Sequence, residues 1–264
     1  MSDYTAKEVQ ALRKATGAGM LDAKRALDET AGDMEAAAQW LREKGLAGAA
    51  KRQDRQNTQG AVAVATEGHA TGMAELKCET DFVAKSPDFV TLTEELARVA
   101  AKSGQSAVSE RQADIDGLGV TLKENIALGR VARFETGPDE VVDSYLHVQN
   151  GRGVNAVVVH LDNGNQDLAH DIAVHVAFTR PQYLSRDEVP ADLVEAERAT
   201  LEQISRNEGK PEAAMAKIIE GRLTGWFKER CLMDQDYVKD EKTTIKALLG
   251  SARIVRFEQI VVGS

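Results

Sequence analysis

Gly60-Ala61-Val62-Ala63-Val64-Ala65-Thr66-Glu67-Gly68-His69-Ala70-Thr71-Gly72-Met73-Ala74-Glu75-Leu76-Lys77-Cys78 is the stretch on which the fold turns. From Gly60 the residue period changes. Ala61 to Thr66 and Met73 to Cys78 read as two strands around a Glu67-Gly68-His69 turn, a hairpin by spacing. A polar loop follows, Glu79-Thr80-Asp81-Phe82-Val83-Ala84-Lys85. Ser86-Pro87 then supplies an N-cap and a first-turn proline for a helix that carries Phe89, Leu92, Leu96 and Val99 and stops at Gly104. Residues 104–117 are loosely patterned, 122–128 read as helix, and 131–135 as a short strand before Thr136-Gly137-Pro138.

The same grammar recurs downstream. Val141 to Val148 and Val154 to Leu161 read as strands around Gln149-Asn150-Gly151-Arg152-Gly153, with a helix over 167–178. Strand, turn, strand, loop and helix occurring twice predict two related α+β subdomains rather than a solenoid, which needs three or more repeats.

Upstream, three short helices are expected in residues 1–50. Thr5 and Glu8 make a capping-box pattern before Val9 and Leu12, ending at Gly17. Met20, Ala23 and Leu27 mark the second helix. Asp33 caps a third that carries Met34, Ala37, Ala38 and Leu41 and closes at Gly45. Such a module buries only a small core. The basic and amide-rich residues 51–59 read as a solvated linker. Residues 187–227 break the strand grammar, with Leu193, Leu201 and Ile204 on one helix and Met215, Ile218, Ile219, Leu223 and Trp226 on another. Asn207-Glu208-Gly209-Lys210-Pro211 between them predicts an antiparallel helical hairpin. Strand-like sequence returns at Arg253–Phe257 and Ile260–Val262. The expected division is therefore 1–50, linker 51–59, first core subdomain 60–138, second core subdomain 139–186 with 228–264, and an inserted hairpin 187–227.

Composition narrows the function. The chain has 264 residues, 42% hydrophobic and 28% charged, the balance of a globular protein. Its 33 Lys+Arg against 42 Asp+Glu give a charge of −9, the wrong sign for a protein held mainly by nucleic-acid phosphates. Cys78 and Cys231 are too far apart for a zinc knuckle or redox pair and read as free thiols. The acidic start Met1-Ser2-Asp3-Tyr4 lacks the pattern of a signal peptide, and no window approaches a membrane span, so a cytoplasmic location is expected. Phosphate-cradling glycine loops and serine-nucleophile motifs are absent. His170-Asp171 with His175 is the one enzyme-like fragment. Asp171 and His175, four apart, could meet on a helix face, with His147 and His160 as the only further histidines on nearby strands. That is a thin basis for a metal-dependent phosphohydrolase, which needs three or more converging ligands.

Phe82 is the residue that chemistry leaves open. In a polar loop it either folds back onto the hairpin or stands out as an apolar anchor beside a carboxylate, as a binding hot spot does. Met20 and Leu21 are equally divided between core and surface, and His147 between a satisfied strand histidine and a contact.

The segment Thr16-Gly17-Ala18-Gly19-Met20-Leu21-Asp22-Ala23-Lys24-Arg25-Ala26-Leu27 with Gly32-Asp33 resembles the N-terminal signature of the bacterial translation elongation factor Ts family. Cys78-Glu79-Thr80-Asp81-Phe82-Val83-Ala84 is similar to that family's second signature, and His170-Asp171-Ile172-Ala173-Val174-His175-Val176-Ala177 to its third. Gly209-Lys210-Pro211 and Glu220-Gly221-Arg222 resemble its helical hairpin. The resemblance runs from Thr5 to Phe257. It implies an α+β protein with a ubiquitin-associated-like three-helix bundle, two core subdomains with antiparallel sheets and a projecting coiled coil. The implied function is guanine-nucleotide exchange on elongation factor Tu, with no covalent chemistry, no cofactor, no bound metal, and no direct nucleic-acid or membrane partner. A non-exchange adaptor built on the bundle is the rival of a different class. By the same resemblance, Thr80, Asp81, Phe82 and Val83 would reach the partner's GTPase domain beside its Mg²⁺, Met20, Leu21 and Lys24 would form a second contact, and His147 a third. Two departures stand out: the turn after His147 reads as longer than the family's, and Lys123 stands where the family often has glycine before Glu124-Asn125.

Overall fold

Thr5 opens the first helix as its pattern predicts. In the computed structural model, which describes residues 4–50, 52 and 54–264, its hydroxyl accepts the Glu8 N–H at 3.4 Å while Glu8 Oε2 accepts the Thr5 N–H at 2.6 Å. The acidic start Met1–Asp3, and Lys51 and Gln53 of the expected linker, lie outside the described residues. Helices α1 (Ala6–Thr16), α2 (Met20–Glu29) and α3 (Met34–Ala50) close around Val9, Leu12, Ala23, Ala26, Leu27 and Ala37. Asp33 caps α3 by accepting the Glu35 and Ala36 N–H groups at 2.9 and 3.0 Å. Met20, left open between core and surface, is exposed at the edge of the α2 stripe. One expectation is corrected here. Gly45 does not end α3, which continues to Ala50. A Cβ at Gly45 would lie 2.4 Å from Val120 Cγ1, so the glycine lets α3 approach a neighbouring helix.

The decisive hairpin forms as β1 (Gln59–Glu67) and β2 (Ala70–Cys78), antiparallel and in register from Gln59↔Cys78 to Glu67↔Ala70. The next seven residues are not all loop, because Asp81–Ala84 make a single helical turn, α4. Then come α5 (Pro87–Ser103), α6 (Gln105–Ser109), α7 (Gln112–Leu122) and β3 (Ala127–Glu135). The helix expected over 122–128 is therefore misplaced. Gly117 and Gly119 look like breakers but lie inside α7, and the helix stops where Lys123 turns left-handed at φ 60°. One face of α5 (Phe89, Leu92, Leu96, Ala97, Ala100) packs with Ala61, Ala63, Ala74 and Leu76 of the hairpin, and β3 completes a sheet of order β1-β2-β3. The stretch expected as a solvated linker is tied down: Arg52 donates to the Gly119 carbonyl at 3.2 Å, and Arg55 pairs with Glu79 at 3.5 Å.

The second half repeats this plan with β4 (Glu140–Gln149), β5 (Arg152–Asp162) and α8 (Gln166–Thr179). Its turn is only two residues long. Asn150 and Gly151 take φ 53° and 77°, the paired left-handed conformation that suits a tight hairpin, so the five-residue turn read from the sequence is corrected. After α9 (Ala191–Asn207) and α10 (Met215–Arg230), the chain adds β6 (Asp236–Tyr237), β7 (Asp240–Thr244) and α11 (Ile245–Leu249), none of them expected. It ends in one strand, β8 (Arg253–Val261), where two were read. The sheet order β4-β5-β8 matches the first sheet: a hairpin with the third strand beside its second. The α9–α10 hairpin buries Leu223 and Phe227 against partly buried Val194, Leu201 and Trp226, but leaves Leu193 and Ile204 exposed, so its seam is narrower than the sequence stripe.

Contacts group the chain into two compact units. One runs through Arg133 and takes in His147–Val154 and Ile260–Ser264; the other holds Phe134–Leu146 and Asn155–Gln259. The architecture is α+β with antiparallel sheets. Among the described residues, no helix is long and apolar enough to cross a membrane.

Candidate functional site

The four residues of α4 divide cleanly between core and solvent. Ala84 is fully buried and Val83 packs against the first core, while Asp81 is exposed and Phe82 is 74% exposed. The fold-back of Phe82 onto the hairpin is therefore not adopted. Thr80 caps the turn, its hydroxyl accepting the Val83 N–H at 3.3 Å. Lys85 closes the other end, with its ammonium 3.1 Å from Asp81 Oδ2 and 4.4 Å from the Phe82 ring centroid. The result is an exposed ring flanked by an ion pair on a short, anchored turn.

Behind the turn lies a strap that sequence reasoning missed. Glu124 Oε2 accepts the backbone N–H groups of Glu79 and Thr80 at 3.0 and 3.1 Å, and Oε1 accepts the Thr80 hydroxyl at 2.5 Å. Glu79 answers by accepting the Asn125 N–H at 2.7 Å. The Cys78 thiol, buried and pushed up to about 12 by desolvation, stays protonated and donates to the Thr80 carbonyl at 3.2 Å. No local pattern signals a carboxylate that reaches back more than forty residues.

Met20, Leu21 and Lys24 share the exposed side of α2, with Leu21 82% exposed. His147 is exposed near the end of β4, beside exposed Val148. Seven of the expected contact residues thus occupy three exposed places, whereas Val83 is half-buried against the first core, so its place in the contact set is corrected to a support of the turn. Lys123 accounts for one departure: its backbone is left-handed, where glycine is at ease, and its ammonium instead pairs with Asp22 of α2 at 3.2 Å.

The sequence profile of the family described as Elongation factor TS matches residues 79–264. Proteins named Elongation factor Ts from Clavibacter michiganensis and Renibacterium salmoninarum are 44% and 43% identical, each aligned over 100% of both chains. One from Micrococcus luteus is 43% identical, again over the whole of both. The chain belongs to the elongation factor Ts family. Its role is guanine-nucleotide exchange in translation elongation.

Within this elongation factor Ts fold, the side chains of His170 and Asp171 are each engaged by an oppositely placed partner. His170 Nδ1 lies 3.2 Å from Asp143 Oδ2, and Asp171 holds Lys239 at 2.6 Å, which keeps its carboxyl below the usual range. The predicted meeting of Asp171 with His175 does not occur. His160 is engaged by Glu140 at 3.0 Å. Among the described residues, no three His, Cys, Asp or Glu side chains are grouped to hold a metal ion.

His175 is fully buried and serves the fold. Its Nδ1 accepts the Val238 N–H at 3.2 Å, so the neutral ring carries its proton on Nε2 and donates to Gln235 Oε1 at 2.8 Å. Burial lowers its pKa, and the Gln235 bond opposes that only in part. The unfolded chain, with histidine near 6.5, takes up a proton that the folded chain refuses. Stability should therefore fall as pH drops below about 6.5 and continue falling to the folded pKa. Urea midpoints between pH 7.5 and 5 should drop more steeply for the natural chain than for His175→Gln. Parallel lines for the two would remove His175 from the acid response.

Proposed function

We propose that this chain speeds GDP release from elongation factor Tu by setting Phe82, with Asp81 beside it, against the elements that hold the partner's Mg²⁺ and phosphates. The observation that carries the reading is a 74% exposed phenylalanine on an anchored helical turn. Leaving that ring in water is unfavourable unless a partner covers it, and buried aromatic anchors dominate protein interfaces. The physics is linkage: a factor that binds the nucleotide-free partner more tightly must weaken nucleotide binding by the same factor. Mg²⁺ neutralises the phosphates in such sites, so an apolar ring forced between its supports loosens the diphosphate without any bond being made or broken. Asp81 adds negative charge near the phosphates. In this reading the chain is a catalyst of dissociation and not of covalent chemistry.

Met20, Leu21 and Lys24 on the three-helix module, which we read as ubiquitin-associated-like, extend the contact, with His147 as a third point. The α9–α10 hairpin is read as a projecting coiled coil, and the net charge of −9 supports protein rather than nucleic-acid partners. The test is release of fluorescently labelled GDP from elongation factor Tu at substoichiometric amounts of this chain. Release accelerated in proportion to added chain, and saturating with it, supports the reading. An unchanged release rate at all concentrations would overturn it.

A further inference from the structure

We propose that Glu124 is a positioning residue for nucleotide exchange: its carboxylate fixes the Glu79–Thr80 backbone so that α4 holds Phe82 outward before a partner arrives. The inference rests on the wedge role given to Phe82 above. A one-turn helix has no cooperative stability of its own, since nucleation costs more than one hydrogen bond returns. Something outside it must hold it. Glu124 takes three donors from the two residues that enter the turn, at 2.5 to 3.1 Å, and the same Thr80 hydroxyl that binds Glu124 also caps α4 through Val83. Glu124 follows directly on Lys123, whose left-handed backbone turns the chain back toward Glu79 and whose ammonium pairs with Asp22, two residues from Met20. Thr121 lies against Gly17 at the end of α1, within 3.1 Å of where a Cβ would stand. Asn125 continues the strap, its side-chain amide donating to the Arg55 carbonyl at 2.7 Å and its N–H to Glu79. The five residues 121–125 thus touch α2, through Asp22, as well as the turn that carries Phe82. The ring is thereby held in the orientation that the release step needs.

Four chains decide the matter: the natural one, Glu124→Ala, Phe82→Ala and the double variant, each assayed for labelled-GDP release over a range of factor concentrations. Glu124→Ala should lower the saturating release rate about fivefold to tenfold and change the half-saturating concentration by less than about twofold, because the strap acts on a geometry needed at release. Glu124→Gln, which retains an acceptor for the Glu79 and Thr80 N–H groups and a donor toward the Thr80 hydroxyl, should recover most of that rate. In the Phe82→Ala background, Glu124→Ala should add less than about twofold, the non-additivity of two residues that act as a unit. Amide exchange of Val83 and Ala84 in the free chain should quicken in Glu124→Ala without a drop in melting temperature that matches a lost core. If Phe82→Ala slows release and Glu124→Ala does not, or if the two effects multiply, the positioning role is overturned while the wedge stands. If Phe82→Ala leaves release unchanged, the wedge and the positioning role fall together.

Discussion

Phe82→Ala should slow GDP release from elongation factor Tu about thirtyfold while hardly moving the melting temperature of the chain. The ring is 74% exposed, so its removal opens no cavity, and surface substitutions of that kind change stability little. What it removes is contact with a partner. Truncating an interface hot spot costs about 2 kcal/mol or more, and about 2 kcal/mol taken from the state that leads to release is a factor of about thirty in rate. Stopped-flow release and thermal unfolding of the same preparation check both halves. Lowered melting with an unchanged release rate would remove Phe82 from the interface. Asp81→Ala should slow release less, because its exposed carboxylate acts through screened charge and is already paired with Lys85.

Phe89→Ala should give the opposite pattern. Seven residues on, the same side chain is fully buried in α5, in a core with Cys78, Ala84, Leu92 and Leu96. Deleting a buried phenylalanine costs about 3–5 kcal/mol, from lost transfer energy plus the cavity that remains. For a chain of this size that corresponds to a fall of about 6–20 °C in melting temperature. Release measured well below the transition should stay close to the natural rate once corrected for the folded fraction. A melting temperature within a degree or two of the natural chain would show that the first core does not rest on Phe89. The two variants are one chemical change at two positions, and they separate what the ring does for a partner from what it does for the fold.

The repeated grammar of hairpin, loop and helix was legible because each piece is local. The capping box at Thr5, the cap and first-turn proline at Ser86-Pro87 and the alternation on either side of the turns all act over a few residues, and both hairpins follow from them, whereas the third strand of each sheet joins from far along the chain. Where the reading failed at Gly45, the cause was a neighbour distant in sequence: the glycine looks like a helix stop, yet it is small because Val120 packs on it. The strands β6 and β7 are short and polar and exist through mutual pairing, so no hydrophobic period announces them.

The sequence by itself determined the α+β class, the two-fold repetition, the helical hairpin and, through its signatures, the elongation factor Ts family. Those properties depend on side-chain period, caps and residue identity, which are written along the chain. Only the tertiary structure decided which apolar residues face water. The polar loop leaves Phe82 open between a fold-back and an exposed anchor, and exposed Met20 shares a helical stripe with buried Ala23 and Leu27. What separates them is where the surrounding elements close. Glu124, reaching back from the end of α7, sets the approach to α4, and with Ala84 and Val83 turned into the core, Phe82 is left outside. Burial is a sum over neighbours brought together by folding, and no local pattern contains that sum.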